Sequence, residues 1–338
     1  MAAQDIEYVE LYTDDKQPAV DYFTQALGFA QVARSDDHGK HSVLVRQGDV
    51  RLVITDGPAT EEFIECHGAG IADIALACDD VAATRDSAVA AGATAAGQPG
   101  QTAVSGFGAV RHTLLPAAPP RGDRLPPGRA WLPAPGPAAA TPWIRSLDHV
   151  AVCLAGGTLE DFATFYTAGF GLARYSGEYT ELGDQAMKSV VVRSPSGGVT
   201  YTLLEPDKTR SAGQLDAFLE RNDGPGVQHL AFGVTDIAAA VSQFQSHGTE
   251  FLGTPDTYYD MLAERLPDIR AEIARLRSSS VLADRDEWGY LLQLFTRSPY
   301  PRNTLFYELI QRRGARGFGS RNIRALYEAV ERDRITAG

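Results

Sequence analysis

Residues 224–249, GPGVQHLAFGVTDIAAAVSQFQSHGT, read as a strand, an aspartate-initiated helix and a glycine stop. Residues 68–93, GAGIADIALACDDVAATRDSAVAAGA, follow the same order. Asp236 and Asp80 stand at matching places before an apolar-periodic run, the pattern of a helix N-cap. Working outward, IEYVELY from Ile6 matches LDHVAVCL from Leu147, and each leads through an amphipathic stretch to an aromatic and glycine turn, AVDYFTQALGF and EDFATFYTAGFGL. The chain is therefore two copies of a pair of strand–helix–strands modules, four modules in all. Between the copies, residues 116–142 hold nine of the 19 prolines. Proline lacks a donor and cannot continue a helix or a central strand, so this stretch reads as an extended linker. The expected division is an N-terminal domain at 1–115, the linker at 116–142 and a C-terminal domain at 143–338.

Alignment of the two halves separates scaffold from chemistry. His149 faces Tyr8 in the other copy, and His229 faces Asp73. A structural histidine has less reason to occur in only one copy, so the N-terminal domain reads as a degenerate copy that has lost its site. His149 lies in LDHVAVCL, His229 in GVQHLAF and Glu308 in TLFYELIQ, all short apolar strands. A charged glutamate in such a run is costly to bury without a partner, and a metal supplies one. Two imidazoles and one carboxylate are the facial triad of non-haem Fe(II) oxygenases, with positions left open for substrate and O2. The spacings, 80 and 79 residues, suit corresponding points of repeated modules. Taken singly, a strand histidine is ordinarily a satisfied core residue and a strand glutamate commonly faces solvent; the coincidence of the three argues for a ligand set.

Composition bounds the rest. A 338-residue chain with 44% hydrophobic and 22% charged residues has material for two ordinary cores. Its net charge of −12, without a lysine or arginine stripe, disfavours nucleic acid. Cys66, Cys78 and Cys153 form no CxxC pair, and each reads as a small buried hydrophobe. No leader pattern or membrane-length apolar run occurs, so a cytoplasmic enzyme is expected. An insertion at 256–279 has helical spacing through Leu262, Leu266, Ile269, Ile273 and Leu276, and a last helix opening near Ser320 could close over a site at Glu308. His38, His41, His67, His112 and His247 are expected to bind no catalytic metal.

The segments GVQHLAF, YLLQLFTRS, NTLFYELIQR and GFGSRNIRALYEAVE resemble the family of 4-hydroxyphenylpyruvate dioxygenase and 4-hydroxymandelate synthase. The resemblance covers essentially the whole chain and is strongest from Leu147 onward. It implies an α+β fold of two vicinal-oxygen-chelate (glyoxalase/dioxygenase-like) domains, each of paired βαβββ modules in a curved mixed sheet. It implies Fe(II) on His149, His229 and Glu308, with 4-hydroxyphenylpyruvate and O2 as substrates and a homodimer as the assembly. The keto acid itself supplies the reducing electrons, so no separate 2-oxoglutarate is needed. Pocket residues implied in the same way are Ser189, Val191, Thr202, Leu204, Gln293, Phe295, Phe318 and Ile323. Gln228 is expected on the opposite face from His229, and Tyr307 away from the iron.

Three positions depart from the ring-hydroxylating members. Those enzymes usually carry Pro-x-Asn-Glu-Pro where this chain has Thr202-Leu203-Leu204-Glu205-Pro206, and GFGxGNF where it has Gly317-Phe318-Gly319-Ser320-Arg321-Asn322-Ile323. Ile323 replaces a flat aromatic wall with a smaller branched one, which should let the ring turn. The departures resemble the branch that hydroxylates the benzylic carbon to form 4-hydroxymandelate. The alternatives are ring hydroxylation to homogentisate and a non-catalytic ligand-binding protein on the same scaffold.

Overall fold

The computed structural model describes residues 2–97, 101–117, 125–134, 136, 142–319, 321, 322 and 324. In the N-terminal half the strands are β1 (Ala3–Tyr12), β2 (Ala30–Asp37), β3 (Lys40–Gln47), β4 (Val50–Asp56), β5 (Gly70–Cys78), β6 (Ala103–Ser105), β7 (Arg111–Pro116) and β8 (Leu132–Pro133). In the C-terminal half they are β9 (Ile144–Cys153), β10 (Ala173–Leu182), β11 (Gln185–Arg193), β12 (Thr200–Pro206), β13 (Gly226–Val234), β14 (Leu282–Arg285), β15 (Tyr290–Phe295) and β16 (Phe306–Arg313). The first sheet runs β8-β2-β3-β4-β1-β5-β7-β6, and the second runs β10-β11-β12-β9-β13-β16-β15 with β14 added at its end. Each is mixed: β1 pairs parallel with β4 and antiparallel with β5, and β9 does the same with β12 and β13. The internal repeat is therefore a repeat of topology, and the expected pair of α+β domains is present. The second N-terminal module is shorter than expected: the counterpart of β14 is reduced to a single bridge between Ala95 and Val104.

Local chemistry explains the helices that matter here. Asp80 and Asp236 are extended and accept from Ala83 N (3.0 Å) and Ala239 N (3.1 Å), capping the helices Val81–Ala90 and Ile237–Ser246. The insertion is helical but broken. Helix Asp256–Arg265 stops before Pro267, whose ring forces Leu266 out of the helical region (φ −129, ψ 70), and a new helix runs Ile273–Ser278. All five apolar positions predicted for it are buried. The two domains share one core, in which Phe29 meets Phe232, Phe23 meets Tyr307, and Gly169 lies against Ala88. Alternation along β16 then sends Glu308 to the other face of its sheet from Tyr307.

Two sequence expectations are modified. Cys66 is exposed, because its helix Glu61–His67 buries none of its residues; Cys78 and Cys153 are buried as expected. The described part of the proline-rich stretch lies on the N-terminal domain rather than spanning free: Leu132 pairs with Arg34 and Pro133 with Ala33. Arg129 packs on the face of that sheet that carries Glu10, where Nη2 donates to Glu10 Oε1 (2.8 Å) and Nη1 to Ser42 Oγ (2.5 Å).

Candidate metal centre

His149, Glu308 and His229 come from three adjacent central strands: β9, β16 and β13. Register brings them together. Ala231 on β13 has His149 on one side and Glu308 on the other, and His229 sits two residues away from Ala231 on the same face. The three donor atoms lie within 4.8 Å of one another, the one group of its kind among the described residues. His149 Nε2 and His229 Nε2 lie 3.3 and 3.2 Å from Glu308 Oε2. Donors held about 2.1 Å from one ion at right angles are about 3 Å apart, so these separations fit one cation. Glu308 Oε1 is buried and has no hydrogen-bond partner. An orphaned carboxylate oxygen in a dry site is what a missing cation would leave, and the donor set fits the iron implied by the sequence.

Each histidine is oriented by the residue before it. Pairing between β9 and β13 slips between Leu147 and His149, and again between Val227 and His229, making Asp148 and Gln228 bulged residues. His149 Nδ1 lies 2.9 Å from Asp148 Oδ1, and His229 Nδ1 lies 3.3 Å from Gln228 Oε1. Both Nε2 atoms are thereby turned toward Glu308. The expectation that Gln228 faces away is corrected: it rested on strict alternation, which the bulge interrupts. The partners differ in charge, and the imidazoles respond differently. Burial pulls His149 down, but hydrogen bonds to Asp148 and Glu308 outweigh it and hold its pKa at about 9 in the metal-free protein. Burial prevails at His229: with the like charge of His149 it outweighs the hydrogen bond and attraction of Glu308, and the pKa is lowered. Burial opposes ionisation of Glu308, yet hydrogen bonds from both imidazoles keep it below the usual carboxylate range.

The implied pocket residues share this face. Thr202 is opposite Ala151, which continues the face of His149; Val191 is opposite Thr202, and Ser189 is opposite Leu204. Across the sheet, Phe295 is opposite Glu308, and Gln293 is opposite Ile310. Leu204 sits at the far end, packed against a small cluster with Leu215 and Phe218. The Thr202 hydroxyl and the Gln293 carboxamide oxygen are buried without partners, as groups awaiting a polar ligand would be. Phe295 lies 5.9 Å from the His229 ring, and Phe318 meets the His149 ring edge-on at 5.1 Å. Phe306, stacked on His229 at 5.0 Å, was missed; its place two residues before Glu308 was the available signal. Gly319 (φ +76) lies so close to Gln293 that a Cβ there would overlap the carboxamide. Ile323, the Ser320 cap and the closing helix beyond Arg324 lie outside the described residues. Tyr307 points away into the core, where its hydroxyl meets that of Tyr300 at 2.6 Å.

The other domain repeats the frame without the ligands. Tyr8 is opposite Ala75 as His149 is opposite Ala231, and Glu10 is opposite Asp73 as Ala151 is opposite His229. The offset of the pairs Asp73–Arg111 and Leu76–Leu114 puts Thr113 where the second domain has Glu308. Here Asp73 is satisfied by protein donors: Thr113 donates to it from N (2.9 Å) and Oγ1 (2.6 Å), and Arg111 Nε donates to it at 3.0 Å. Of the remaining histidines, His112 is buried between Ile74 O (3.1 Å) and the Tyr166 hydroxyl (2.8 Å). His247 caps Gln243 O at 2.8 Å.

Comparison with known proteins agrees with this geometry. The profile "Hydroxyphenylpyruvate dioxygenase, HPPD, N-terminal" matches residues 1–111, and "Glyoxalase/Bleomycin resistance protein/Dioxygenase superfamily" matches 146–294. The chain is 30% identical to a 4-hydroxyphenylpyruvate dioxygenase of Pyricularia oryzae, over 98% of this chain and 90% of that protein. It is 30% identical to the hemolysin VllY of Vibrio vulnificus, over 98% and 95%. A solved structure of a triple variant of 4-hydroxymandelate synthase from Streptomyces coelicolor superposes with a TM-score of 0.88 at 50% identity, covering 98% of this chain and 99% of that one.

Proposed function

The chain belongs to the 4-hydroxyphenylpyruvate dioxygenase family of non-haem iron enzymes, and on that premise we propose that it is a 4-hydroxymandelate synthase with Fe(II) held by His149, His229 and Glu308. The observation that carries the metal assignment is the convergence of three buried donors around an unsatisfied Glu308 oxygen. The choice of benzylic over ring hydroxylation is supported by the 50% identity to a synthase structure, against 28–30% for the dioxygenases of fungi and Dictyostelium. Thr202, Leu204 and Ile323 support it from the sequence.

Ferrous iron held by His149, His229 and Glu308 would supply open positions for a chelating 2-oxo acid and for O2, the chemistry that yields CO2 and a hydroxylated arylacetate. The chain's own work is to position and enclose. The bulged Asp148 and Gln228 hold the Nδ1 atoms and present Nε2 to the metal. Phe295, Phe306 and Phe318 bound the site with rings, excluding water and limiting how the substrate ring lies. Gln293 and Thr202 offer the unpartnered polar atoms that a hydroxyphenyl substrate can satisfy. Ser189, Val191 and Leu204 complete the wall. The product, 4-hydroxymandelate, would supply 4-hydroxyphenylglycine for a peptide natural product. On the same reading the enzyme works in the cytoplasm as a homodimer, which light scattering checks. Incubation with Fe(II), O2 and 4-hydroxyphenylpyruvate tests the whole: 4-hydroxymandelate is expected, homogentisate would move the chain to the ring-hydroxylating branch, and no O2 uptake would refute catalysis.

A further inference from the structure

The two histidines are not held alike. Gln228 touches His229 through one neutral contact. Asp148, by contrast, is itself gripped. Arg312 Nε donates to Asp148 Oδ2 at 2.7 Å and Nη2 to Oδ1 at 2.8 Å, a bidentate pair of fixed geometry. Arg312 follows Glu308 by four residues on β16, so it shares the site face. Its remaining nitrogen, Nη1, donates to Gly317 O (2.6 Å) and Ala315 O (3.3 Å), in the segment that follows β16. The guanidinium also lies 5.0 Å from the centre of the Phe318 ring, whose edge contact with His149 is 5.1 Å. Arg312, Asp148, His149 and Phe318 therefore form a closed circuit. It joins one imidazole of the centre to the chain segment 315–318.

We infer that Arg312 is a positioning residue that couples docking of the 315–318 segment to the orientation of His149, so that metal binding and docking of that segment stabilise one another. The inference rests on the proposed role of His149 as a ligand. Its physical basis is that a bidentate guanidinium–carboxylate pair fixes both planes. Loss of the Gly317 and Phe318 contacts frees Arg312 to turn, and with it the carboxylate that sets the imidazole. Coupling of this kind is reciprocal: what the metal does for the segment, the segment does for the metal. Asp286 offers an independent handle, because it docks the same segment from outside the circuit, accepting from Arg316 N (2.6 Å) and Gly317 N (2.7 Å).

The test uses Co(II) as the metal probe on the full-length protein. It reads the dissociation constant by chelator competition, the visible Co(II) spectrum, and hydrogen exchange of residues 315–318 with and without the metal. Arg312→Lys keeps the charge but cannot make the planar fork, and should weaken Co(II) binding about 10- to 100-fold with an altered spectrum. Asp286→Ala, which touches neither His149 nor Asp148, should weaken it about 5-fold or more. Co(II) should slow exchange at 315–318 in the wild type, and Asp148→Asn should remove that slowing. The double variant Asp148→Asn/Arg312→Lys should bind no worse than the weaker single variant. Wild-type Co(II) affinity in Arg312→Lys and Asp286→Ala, or metal-independent exchange at 315–318, would overturn the coupling alone. Failure of the wild type to bind Co(II) would overturn the metal assignment and the coupling with it.

Discussion

The arginine buried against Glu10 in the N-terminal domain provides a quantitative test of how that domain compensates an interior carboxylate. Glu10 is fully buried; its Oε1 accepts from Arg129 Nη2 at 2.8 Å and from Thr55 Oγ1 at 2.8 Å, while its Oε2 has Arg111 Nη2 as a more distant cation at 3.5 Å. Arg129 is itself only 8% exposed in its side chain. Arg129→Ala removes one partner of a buried pair, which typically costs about 3–5 kcal/mol because a charge is left without compensation. Arg111 already donates to Asp73 and cannot replace it in full, whereas water entering the vacated space offsets part of the loss. We therefore expect a loss of about 3–4 kcal/mol, a fall of about 5 °C in the melting temperature of a molecule whose two domains share one core. The pH dependence identifies the cause. Burial opposes ionisation of Glu10, but Arg129 and its neighbours lower its pKa below the ordinary 4.5. A depressed carboxyl stabilises the fold above its unfolded pKa and loses that contribution as pH falls through the folded value. Without Arg129 burial prevails, Glu10 takes up a proton at higher pH, and the deficit relative to wild type should shrink as the medium is acidified. Adding Glu10→Gln to Arg129→Ala should recover part of the loss at neutral pH. Thermal and urea denaturation read all three proteins, and a cost below about 1 kcal/mol with no pH dependence would refute the reasoning.

Removing the carboxylate at the centre, Glu308→Ala, should abolish product formation and lower bound iron, measured by metal analysis after dialysis; substantial turnover would remove Glu308 from the ligand set. His112, whose pKa burial lowers to about 4, should make the protein acid-sensitive. Between about 6.5 and 4 the unfolded chain binds the extra proton, so stability falls by roughly 3 kcal/mol as pH drops across that window. Denaturation of His112→Gln should show a correspondingly smaller acid slope, and an equal slope would refute the assignment. Ile323→Phe should shift product from 4-hydroxymandelate toward homogentisate, and an unchanged product ratio by chromatography would count against the account of ring orientation.

The amino-acid order by itself determined the repeat, the helix starts at Asp80 and Asp236, and the three side chains of the centre. These follow from local or periodic causes: apolar alternation, a capping carboxylate, and residue types that one copy has and the other lacks. Alternation also gave the direction of Tyr307 and the shared face of Ser189 and Val191; Thr202, Gln293 and Phe295 came from the family resemblance, and strand register lays them along the same sheet. Alternation failed at Gln228, because a bulge adds a residue to a strand without leaving a mark in local composition. The same blindness hid Asp148 as the partner of His149. Cys66 escaped for a related reason: seven residues of helix do not reveal which side meets the core. The filling of the first domain by Arg129, and the grip of Arg312 on both Asp148 and the 315–318 segment, join residues up to 164 positions apart. Such contacts depend on strand order and register, which place distant backbone side by side, and only the tertiary structure decides those.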